Sequence, residues 1–444
     1  MSKVVLASQL PNKRNASLAP GLKQRHVTML SIAGVIGAGL FVGSGHAIAA
    51  AGPAALLAYL IAGTLVVLVM RMLGEMAVAS PDTGSFSTYA DRSIGRWAGF
   101  TIGWLYWWFW VLVIPLEAIA AAAILNAWFP AIDTWIFALA VTFLLTVTNL
   151  FSVARYGEFE FWFALLKVIA IIAFIVLGAV AIVGGLPERE VSGLSSLMAS
   201  HGGFVPNGYG AVLGALLTTM FSFMGTEIVT IAAAESKDPA KQITRATNSV
   251  IWRIGLFYLV SIFIVISIVP WNDPLLIQVG SYQRALELLD IPHAKRGDAP
   301  SVLKLTNTAH VPRPAVLAST AVGFLTTIVN YFAPEKVFTF LLASSGAVAL
   351  LVYLVIAVAQ LRMRKQLQAS GQPIEFRMWL YPWLTWAVIL FIVAALSIML
   401  IMPEHRHEVF ATALLTIFTV CLGLLNARRK PRLGEDYAGK TARV

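Results

Sequence analysis

Three ionisable residues lie inside long apolar runs of the sequence: Glu117, Lys167 and Glu227. A charge within a membrane-crossing run is costly, so such a residue is by default a candidate for binding a charged solute or carrying a proton. Lys167 lies close enough to the start of its run that snorkelling to the membrane interface is an equally good interpretation. Glu75 and Arg253 lie near the ends of their runs, and we interpret them as structural.

Glycines are concentrated in the first apolar run, "SIAGVIGAGLFVGSG" (31–45). Close helix packing through small residues, as at Gly39 and Gly43, is one explanation. Gly34, Gly37 and Gly39 nevertheless lie closer together than packing requires. They favour a broken helix whose free N–H groups and dipole hold a substrate carboxylate. A dinucleotide-binding loop is excluded because no strand precedes these glycines.

A second interruption lies in "FSFMGTEIVTIAAAESKDP" (221–239), where Gly225 is flanked by Ser222, Thr226 and Glu227. A packed polar kink would also explain these residues. However, an interrupted helix in each half of a chain indicates an inverted-repeat transporter with its binding site near the membrane midplane. We therefore expect Gly37 to face Gly225 at that depth.

The composition predicts a membrane protein. The chain has 444 residues, 58% hydrophobic and only 12% charged, a profile far more apolar than that of soluble domains. Only helices and closed barrels satisfy their backbone in lipid, and apolar runs of this length predict an all-α polytopic bundle. The net charge of +10 resides in loops and tails, where it sets orientation and indicates no nucleic-acid partner. The predicted spans are 27–50, 54–72, 97–125, 134–152, 160–184, 211–234, 247–269, 314–333, 337–360, 380–402 and 408–427.

The distribution of Lys and Arg implies one crossing that the sequence does not supply. Basic loops alternate with nearly neutral ones as far as the seventh span, which places the N-terminal tail in the cytoplasm. Beyond it, the alternation continues only if another span separates Ala294 from Lys295, which are adjacent. On charge alone, the sequence has the pattern of a twelve-span protein with one span absent.

Other patterns predict no further chemistry. The stretch "GEDYAGKT" (434–441) has the spacing of a phosphate-binding loop but lacks the strand and helix that such a loop requires. "HRH" (405–407) is better explained as a solvated loop than as a metal site, and the single Cys421 allows no internal disulfide. The aromatic cluster "WLYWWFW" (104–110) could stack on a substrate amine. Lipid-facing aromatic side chains are the commoner arrangement.

The sequence resembles bacterial amino-acid permeases of the amino acid–polyamine–organocation (APC) superfamily from about Leu22 to Lys430. The resemblance rests on five blocks that occur in the family's order: "SIAGVIGAGLFVGSG", "GEMAVASPDTGSFSTYA", "FSFMGTEIVTIAAAESKDP", "SSGAVALLVYLVIAVAQLRMRK" and "RMWLYPWLTW". In that family, the segment corresponding to "SYQRALELLDIPHAK" leads into an eighth span, and "RGDAP" follows the loop after it. Here the two are joined, so about 30 residues, one span and its connector, are expected to be missing.

The resemblance implies a LeuT-like inverted-repeat bundle, an all-α polytopic membrane protein with two five-span repeats and two further spans. Eleven of the usual twelve spans are evident, and span eight is the one expected to be absent. The implied layout is a cytoplasmic tail at 1–26, a first repeat at 27–185, a second repeat without its third span at 211–360, two additional spans at 361–428 and a cytoplasmic tail at 429–444.

The resemblance also implies a substrate site and a proton-coupling site. The substrate carboxylate is expected at the backbone of the first span and the amine at the sixth, with Lys167 and Glu117 serving proton coupling. The expected substrate-binding residues are Gly34, Ile36, Gly37, Ala38, Gly39, Ser222, Phe223, Gly225, Thr226 and Glu227.

The implied function is proton-coupled import of an amino acid across the bacterial inner membrane. 4-Aminobutyrate (GABA) is the expected substrate, with proline or an aromatic amino acid as alternatives. The expected partners are the amino acid, the proton and the lipid bilayer, and we expect no cofactor, metal, nucleic acid or enzymatic activity. Because span eight borders the substrate and ion sites in this fold, a permease that no longer transports is the alternative function.

Overall fold

The structure is a computed structural model that describes most of the chain between Ile36 and Arg429. The described residues are 36–82, 84–149, 153–185, 194, 197, 202–234, 238–289, 321, 323–325, 328, 334–403 and 405–429. Gly34, the junction of Ala294 with Lys295, most of 314–333 and both tails lie outside these ranges.

The described residues form a bundle of apolar helices, the secondary structure whose internal hydrogen bonds satisfy the backbone in lipid. Two π-helical turns, Gly39–Gly43 and Ile254–Val260, are continuous with the helices that flank them. The α-helices are α1 (Ser44–Ala51), α2 (Ala55–Ala79), α3 (Ser85–Ser93), α4 (Arg96–Trp128), α5 (Thr134–Asn149), α6 (Val153–Ile182), α7 (Gly208–Phe223), α8 (Ile228–Ala234), α9 (Pro239–Arg253), α10 (Ser261–Ile268), α11 (Leu275–Val279), α12 (Ser281–Leu288), α13 (Pro334–Ala369), α14 (Trp383–Ile401) and α15 (Arg406–Arg429).

The helices agree with the predicted spans wherever the chain is described. Seven helical stretches among the described residues are long and apolar enough to cross a membrane. One of them, Gly39–Ala79, contains the second predicted span and most of the described part of the first, which are separated by a turn at Gly52 with φ of +67°. Together with the shorter apolar helices Thr134–Val147 and Gly208–Phe223, these stretches account for every predicted span except 314–333. The protein is therefore a multi-pass helical membrane protein.

The sixth span is interrupted between α7 and α8, as predicted. Met224 is extended, with φ of −65° and ψ of 145°, and it ends the helical run. Gly225 follows with φ of +99°, a conformation that glycine adopts readily because it has no Cβ. The backbone groups of this segment are therefore freed from the helix near the middle of the span.

The first span is helical only from Ala38 onward in the described part of the chain. Ile36 and Gly37 are not helical, and the carbonyl of Gly37 accepts the first helical hydrogen bonds, from the N–H groups of Leu40 and Phe41. The N–H of Ala38 therefore belongs to the first turn, where backbone donors lack helical partners.

Small residues bring the two interrupted spans and α13 into close contact. A Cβ added at Gly39 would lie 2.8 Å from the Cα of Ser222, so the first and sixth spans meet almost backbone to backbone. A Cβ at Gly346 would lie 1.9 Å from the carbonyl oxygen of Leu217, which places α13 directly on α7. Such contacts are typical of helix packing in membranes. They leave no room for a side chain at either glycine.

Glu75 does not snorkel to the interface; it is buried inside the bundle, with a relative exposure of 1%. Its carboxylate accepts hydrogen bonds from the side chain of Gln360 at 2.8 Å, from Arg364 and from the backbone N–H of Met378. The carboxylate therefore joins α2, α13 and the loop before α14. Glu75 therefore has a structural role, as interpreted from the sequence. It forms a buried ion pair with Arg364, however, and does not lie at an exposed end of its helix.

Candidate functional site

The predicted site residues of the first and sixth spans are brought together by the packing of Gly39 on Ser222. The described members of the set are largely buried. Ile36 and Ala38 retain relative exposures of 1% and 6%, and Ser222, Phe223, Thr226 and Glu227 retain 3% or less. Two backbone N–H groups without helical partners lie here, that of Ala38 at the start of the first-span helix and that of Gly225 at the sixth-span interruption.

A carboxylate from α4 is bound to the first of these N–H groups. The Oε1 atom of Glu117 accepts a hydrogen bond from the N–H of Ala38 at 2.9 Å. The same oxygen lies 2.5 Å from the position that a Cβ would take at Gly37. Glu117, and not Gly225, is therefore the neighbour of Gly37 in the direction of a side chain. A Cβ at Gly37 would require the carboxylate of Glu117 to shift, because the carboxylate occupies that space.

The second N–H group is bound by a carboxylate from its own segment. Gly225 donates to both oxygens of Glu227, at 3.0 and 3.1 Å. The hydroxyl of Tyr106 on α4 donates to Oε1 of Glu227 at 2.9 Å. Each interruption thus has one carboxylate on its freed donor, which is the interaction expected at a helix N-terminus.

Lys167 lies in the middle of α6, because this helix begins at Val153, before the start of the predicted span. Fourteen residues of helix, about 21 Å at 1.5 Å per residue, separate Val153 from Lys167. Its ammonium interacts electrostatically with Glu117. Arg155, Glu158 and Glu160 precede Lys167 on α6, and the apolar stretch of this helix begins only at Phe161. Snorkelling and a functional role therefore both stay predictions for Lys167.

Buried hydroxyl groups surround the sixth-span interruption. Tyr258 donates to the carbonyl of Ser222 at 2.7 Å. Tyr59 is fully buried beside the hydroxyls of Ser44 and Ser222. Tyr353 on α13 is fully buried near Glu227. The site therefore offers hydroxyl groups as well as backbone donors and two carboxylates to a polar solute.

Sequence reasoning missed these tyrosines, Tyr106 above all. The cluster 104–110 divides between two environments: Trp104 and Trp107 are 45% and 37% exposed, whereas Phe109 is buried and Tyr106 bonds Glu227. Lipid-facing aromatics therefore account for only part of the cluster. The one signal was that Tyr106 is the only residue in the cluster with a hydroxyl group.

A pair of short helices, α11 and α12, packs on the first span next to the site. A Cβ at Gly45 would lie 2.5 Å from the carbonyl oxygen of Leu276, so α11 touches the backbone of α1. The hydroxyls of Ser44 and Ser281 are 2.5 Å apart, which joins α12 to the same helix. This helix pair covers one end of the interrupted first span.

The arrangement suits a small zwitterion better than a metal ion. Backbone donors at a helix N-terminus bind a carboxylate, and buried carboxylates bind an ammonium group. Within the described residues, no group of three or more His, Cys, Asp or Glu side chains is placed to hold a metal ion.

Comparison with known proteins agrees with the helical architecture. The chain is 94% identical over 475 aligned positions to the probable GABA permease of Pseudomonas aeruginosa, with both chains covered completely. It is 63% identical to the gamma-aminobutyric acid permease of Escherichia coli K12, covering 93% of this chain and 95% of the relative. The fold is similar to that of a manganese transporter from Eremococcus coleocola, with a TM-score of 0.51 and 14% identity over 91% of this chain and 94% of that chain.

The comparisons also bear on the missing span. The alignment with the Pseudomonas aeruginosa relative has 475 positions, whereas this chain has 444 residues, so the relative has residues with no counterpart here. The sequence model of the amino acid permease family matches in two parts, 26–294 and 291–432, which meet where the charge pattern placed the absent span. The two parts together extend over nearly the whole sequence, and the chain belongs to the amino acid permease family.

Proposed function

We propose that this protein takes up 4-aminobutyrate across the bacterial inner membrane in symport with protons. The observation that carries the substrate assignment is the 94% identity, along the entire chain, to a probable GABA permease. The gamma-aminobutyric acid permease of Escherichia coli, at 63% identity, supports the same assignment. Proline or an aromatic amino acid is the alternative substrate.

The geometry of the site supports an amino acid as the solute. The N–H of Ala38, in the first turn of the helix, is a suitable donor for the substrate carboxylate. Glu227 and the hydroxyls of Tyr106 and Tyr353 lie at the other interruption and are suitable partners for the amine. The two charged ends of one substrate would thus bridge the first and sixth spans, as proposed from the sequence.

Proton coupling is assigned to Lys167 and Glu117. A lysine and a carboxylate that interact in a low-dielectric site can exchange a proton at little cost, because the neutral pair avoids burying two charges. The carboxylate also contacts the expected substrate site through Ala38. Protonation and substrate binding therefore act on the same side chain.

The proposed orientation places the N-terminal tail in the cytoplasm, because the basic residues of that tail and of alternate loops favour that side. The basic residues of the C-terminal tail favour the same side, which, with eleven spans, requires residues 281–313 to pass through the membrane as a partial segment. The proposed layout is the one implied by the sequence, with two repeats at 27–185 and 211–360 and two additional spans at 361–428. We propose no oligomeric state.

A second candidate function is favoured by a specific observation. The family model matches in two parts that meet at 291–294, which supports the prediction that the second repeat lacks one span. The second candidate is a transport-inactive permease. Without this span, the protein would retain the membrane fold and its binding residues but would not complete the transport cycle.

Uptake of labelled 4-aminobutyrate by cells that express this chain tests the proposal. The matched control is the same chain with the missing segment restored from the Pseudomonas aeruginosa relative. Uptake by both proteins would support transport by this chain. Uptake by the control alone would support the transport-inactive alternative. Uptake by neither would contradict the substrate assignment, and proline and aromatic amino acids would then be compared as substrates.

A further inference from the structure

The structure contains a carboxylate of the protein where the substrate carboxylate is expected. Oε1 of Glu117 accepts from the N–H of Ala38 at 2.9 Å and fills the space beside Gly37. Glu117 has the charge and acceptor geometry of an amino acid's carboxylate. Its bond to the first turn of the helix is the interaction by which helix N-termini bind anions.

The carboxylate at the other interruption is placed differently. Glu227 lies two residues from Gly225, its relative exposure is 0%, and it is also held by Tyr106. Its contact with the freed N–H is local to the segment. Glu117, by contrast, belongs to another helix, 79 positions away, and is only partly buried, so moving its side chain does not require the backbone of the first span to move. Of the two capped donors, the N–H of Ala38 is the one that a ligand can gain by displacing a side chain.

One N–H group cannot serve both carboxylates. With Oε1 of Glu117 within 2.5 Å of the Cβ position of Gly37, no second oxygen fits beside Ala38 on that side. A substrate that binds this donor must first remove Glu117. The displaced carboxylate then needs another partner, because an unpaired charge is costly in a low-dielectric site.

Lys167 is the cation that interacts with Glu117, and it is therefore the partner that can receive the carboxylate. We propose that Glu117 is an internal surrogate for the substrate carboxylate, which holds the empty site closed and is displaced toward Lys167 when substrate binds. This inference rests on the proposed function, since it assumes that the substrate carboxylate binds the N–H of Ala38. Substrate binding and the Glu117–Lys167 contact then favour each other, as linkage requires.

The competition lowers the apparent affinity for any ligand that carries a carboxylate, because only the fraction of molecules with a vacant donor can bind it. Glu117→Gln retains the size of the side chain but replaces the charged acceptor with a weaker neutral one. We expect this variant to bind 4-aminobutyrate about tenfold more tightly than the original chain, since a charge-assisted hydrogen bond no longer has to be displaced. Glu117→Asp retains the charge beside Lys167, but its shorter side chain does not reach Ala38, and it should shift the affinity in the same direction.

The test is a binding assay on the purified full chain and the two variants, with radiolabelled 4-aminobutyrate as the probe. Butyrate and butylamine serve as competitors, because the first has only the carboxylate and the second only the amine. Butyrate should gain affinity in the variants as 4-aminobutyrate does, whereas butylamine should not change. If Glu117 served only to stabilise the structure, both variants would instead bind all three ligands more weakly.

Each variant is checked for folding by its helix content and by monodisperse elution. If one variant does not fold, the binding measurements on the other provide the test. Equal or weaker binding of 4-aminobutyrate by a folded variant would overturn the surrogate role while leaving the proposed function intact. An equal gain for butylamine would also overturn it, because the effect would then not involve the carboxylate. No binding by the original chain or by either variant would overturn the proposed function itself, and the surrogate role with it.

Discussion

Replacing Glu75 by Gln should destabilise the protein by about 3 kcal/mol, the lower end of the range for breaking a buried ion pair. The carboxylate has a relative exposure of 1%, and the side chain of Arg364 is 10% exposed, so water cannot replace the lost partner. Gln still offers one oxygen to Gln360 or to Met378, which is why we expect the lower end of the range. The guanidinium of Arg364 loses its charged partner and keeps its contact with the ring of Tyr381, at 4.4 Å.

A double-mutant cycle measures the pair directly. Glu75→Gln, Arg364→Met and the double variant are compared by denaturant unfolding in detergent, monitored by loss of helix signal. The double variant should be less destabilised than the sum of the two single variants, because neither charge is left alone. Arg92→Met is the matched control: Arg92 pairs with Asp82 at 2.8 Å, but its side chain is 51% exposed, so its loss should cost no more than about 1 kcal/mol. A cost for Glu75→Gln as small as that of the control would refute the argument that burial makes this pair important.

Three further predictions concern the site and the topology. Gly37→Leu should abolish 4-aminobutyrate binding with little effect on membrane insertion, because the Leu side chain would fill the space beside the N–H of Ala38 that either carboxylate needs; unchanged binding would contradict the site assignment. Lys167→Ala, made in the chain with the missing segment restored, should remove the pH dependence of uptake while some exchange of substrate continues; persistent pH dependence would make the lysine a snorkelling anchor. A reporter fused after Val444 should give a cytoplasmic signal, because the basic residues of the C-terminal tail favour that side; a periplasmic signal would mean that the missing span inverts the C-terminal half.

The local interruptions could be predicted because their causes are local. Gly225 has φ of +99°, and a residue with a Cβ rarely adopts that conformation, so the glycine itself indicates the break. Gly39 and Gly43 were explained by close packing as an alternative, and Gly39 does pack on Ser222. Close packing is therefore present in the first span, and the helix preceding Gly37 that a broken span requires lies outside the described residues.

The prediction of an absent span rests on the charge distribution, which follows the number of crossings. Lys and Arg are retained on the cytoplasmic side, so a change in their alternation indicates that a crossing is missing. The two-part match to the family, meeting at 291–294, agrees with that inference. No tertiary contact was needed for it.

The pairings at the site could not be predicted. Glu117 and Ala38 are 79 positions apart, Tyr106 and Glu227 are 121 apart, and nothing in either local sequence indicates the partner. The sequence did single out Glu117 and Glu227 as ionisable residues in apolar runs. It gave no sign that each carboxylate would be bound to a freed backbone N–H.

The sequence alone determined which segments are apolar enough to cross the membrane, that the sixth is interrupted at Gly225 and that Glu117, Lys167 and Glu227 lie within apolar runs, because hydropathy, glycine conformation and charge act residue by residue. Only the tertiary structure decided which face of each helix turns inward. A lipid-facing side chain is as apolar as a buried one, so the helical periodicity that reveals the inner face of a soluble helix is lost in α4. Trp107 of α4 accordingly faces outward, whereas the adjacent Tyr106 reaches Glu227. Helix rotation, set by packing on the neighbouring helices, is what places Glu117 at Ala38.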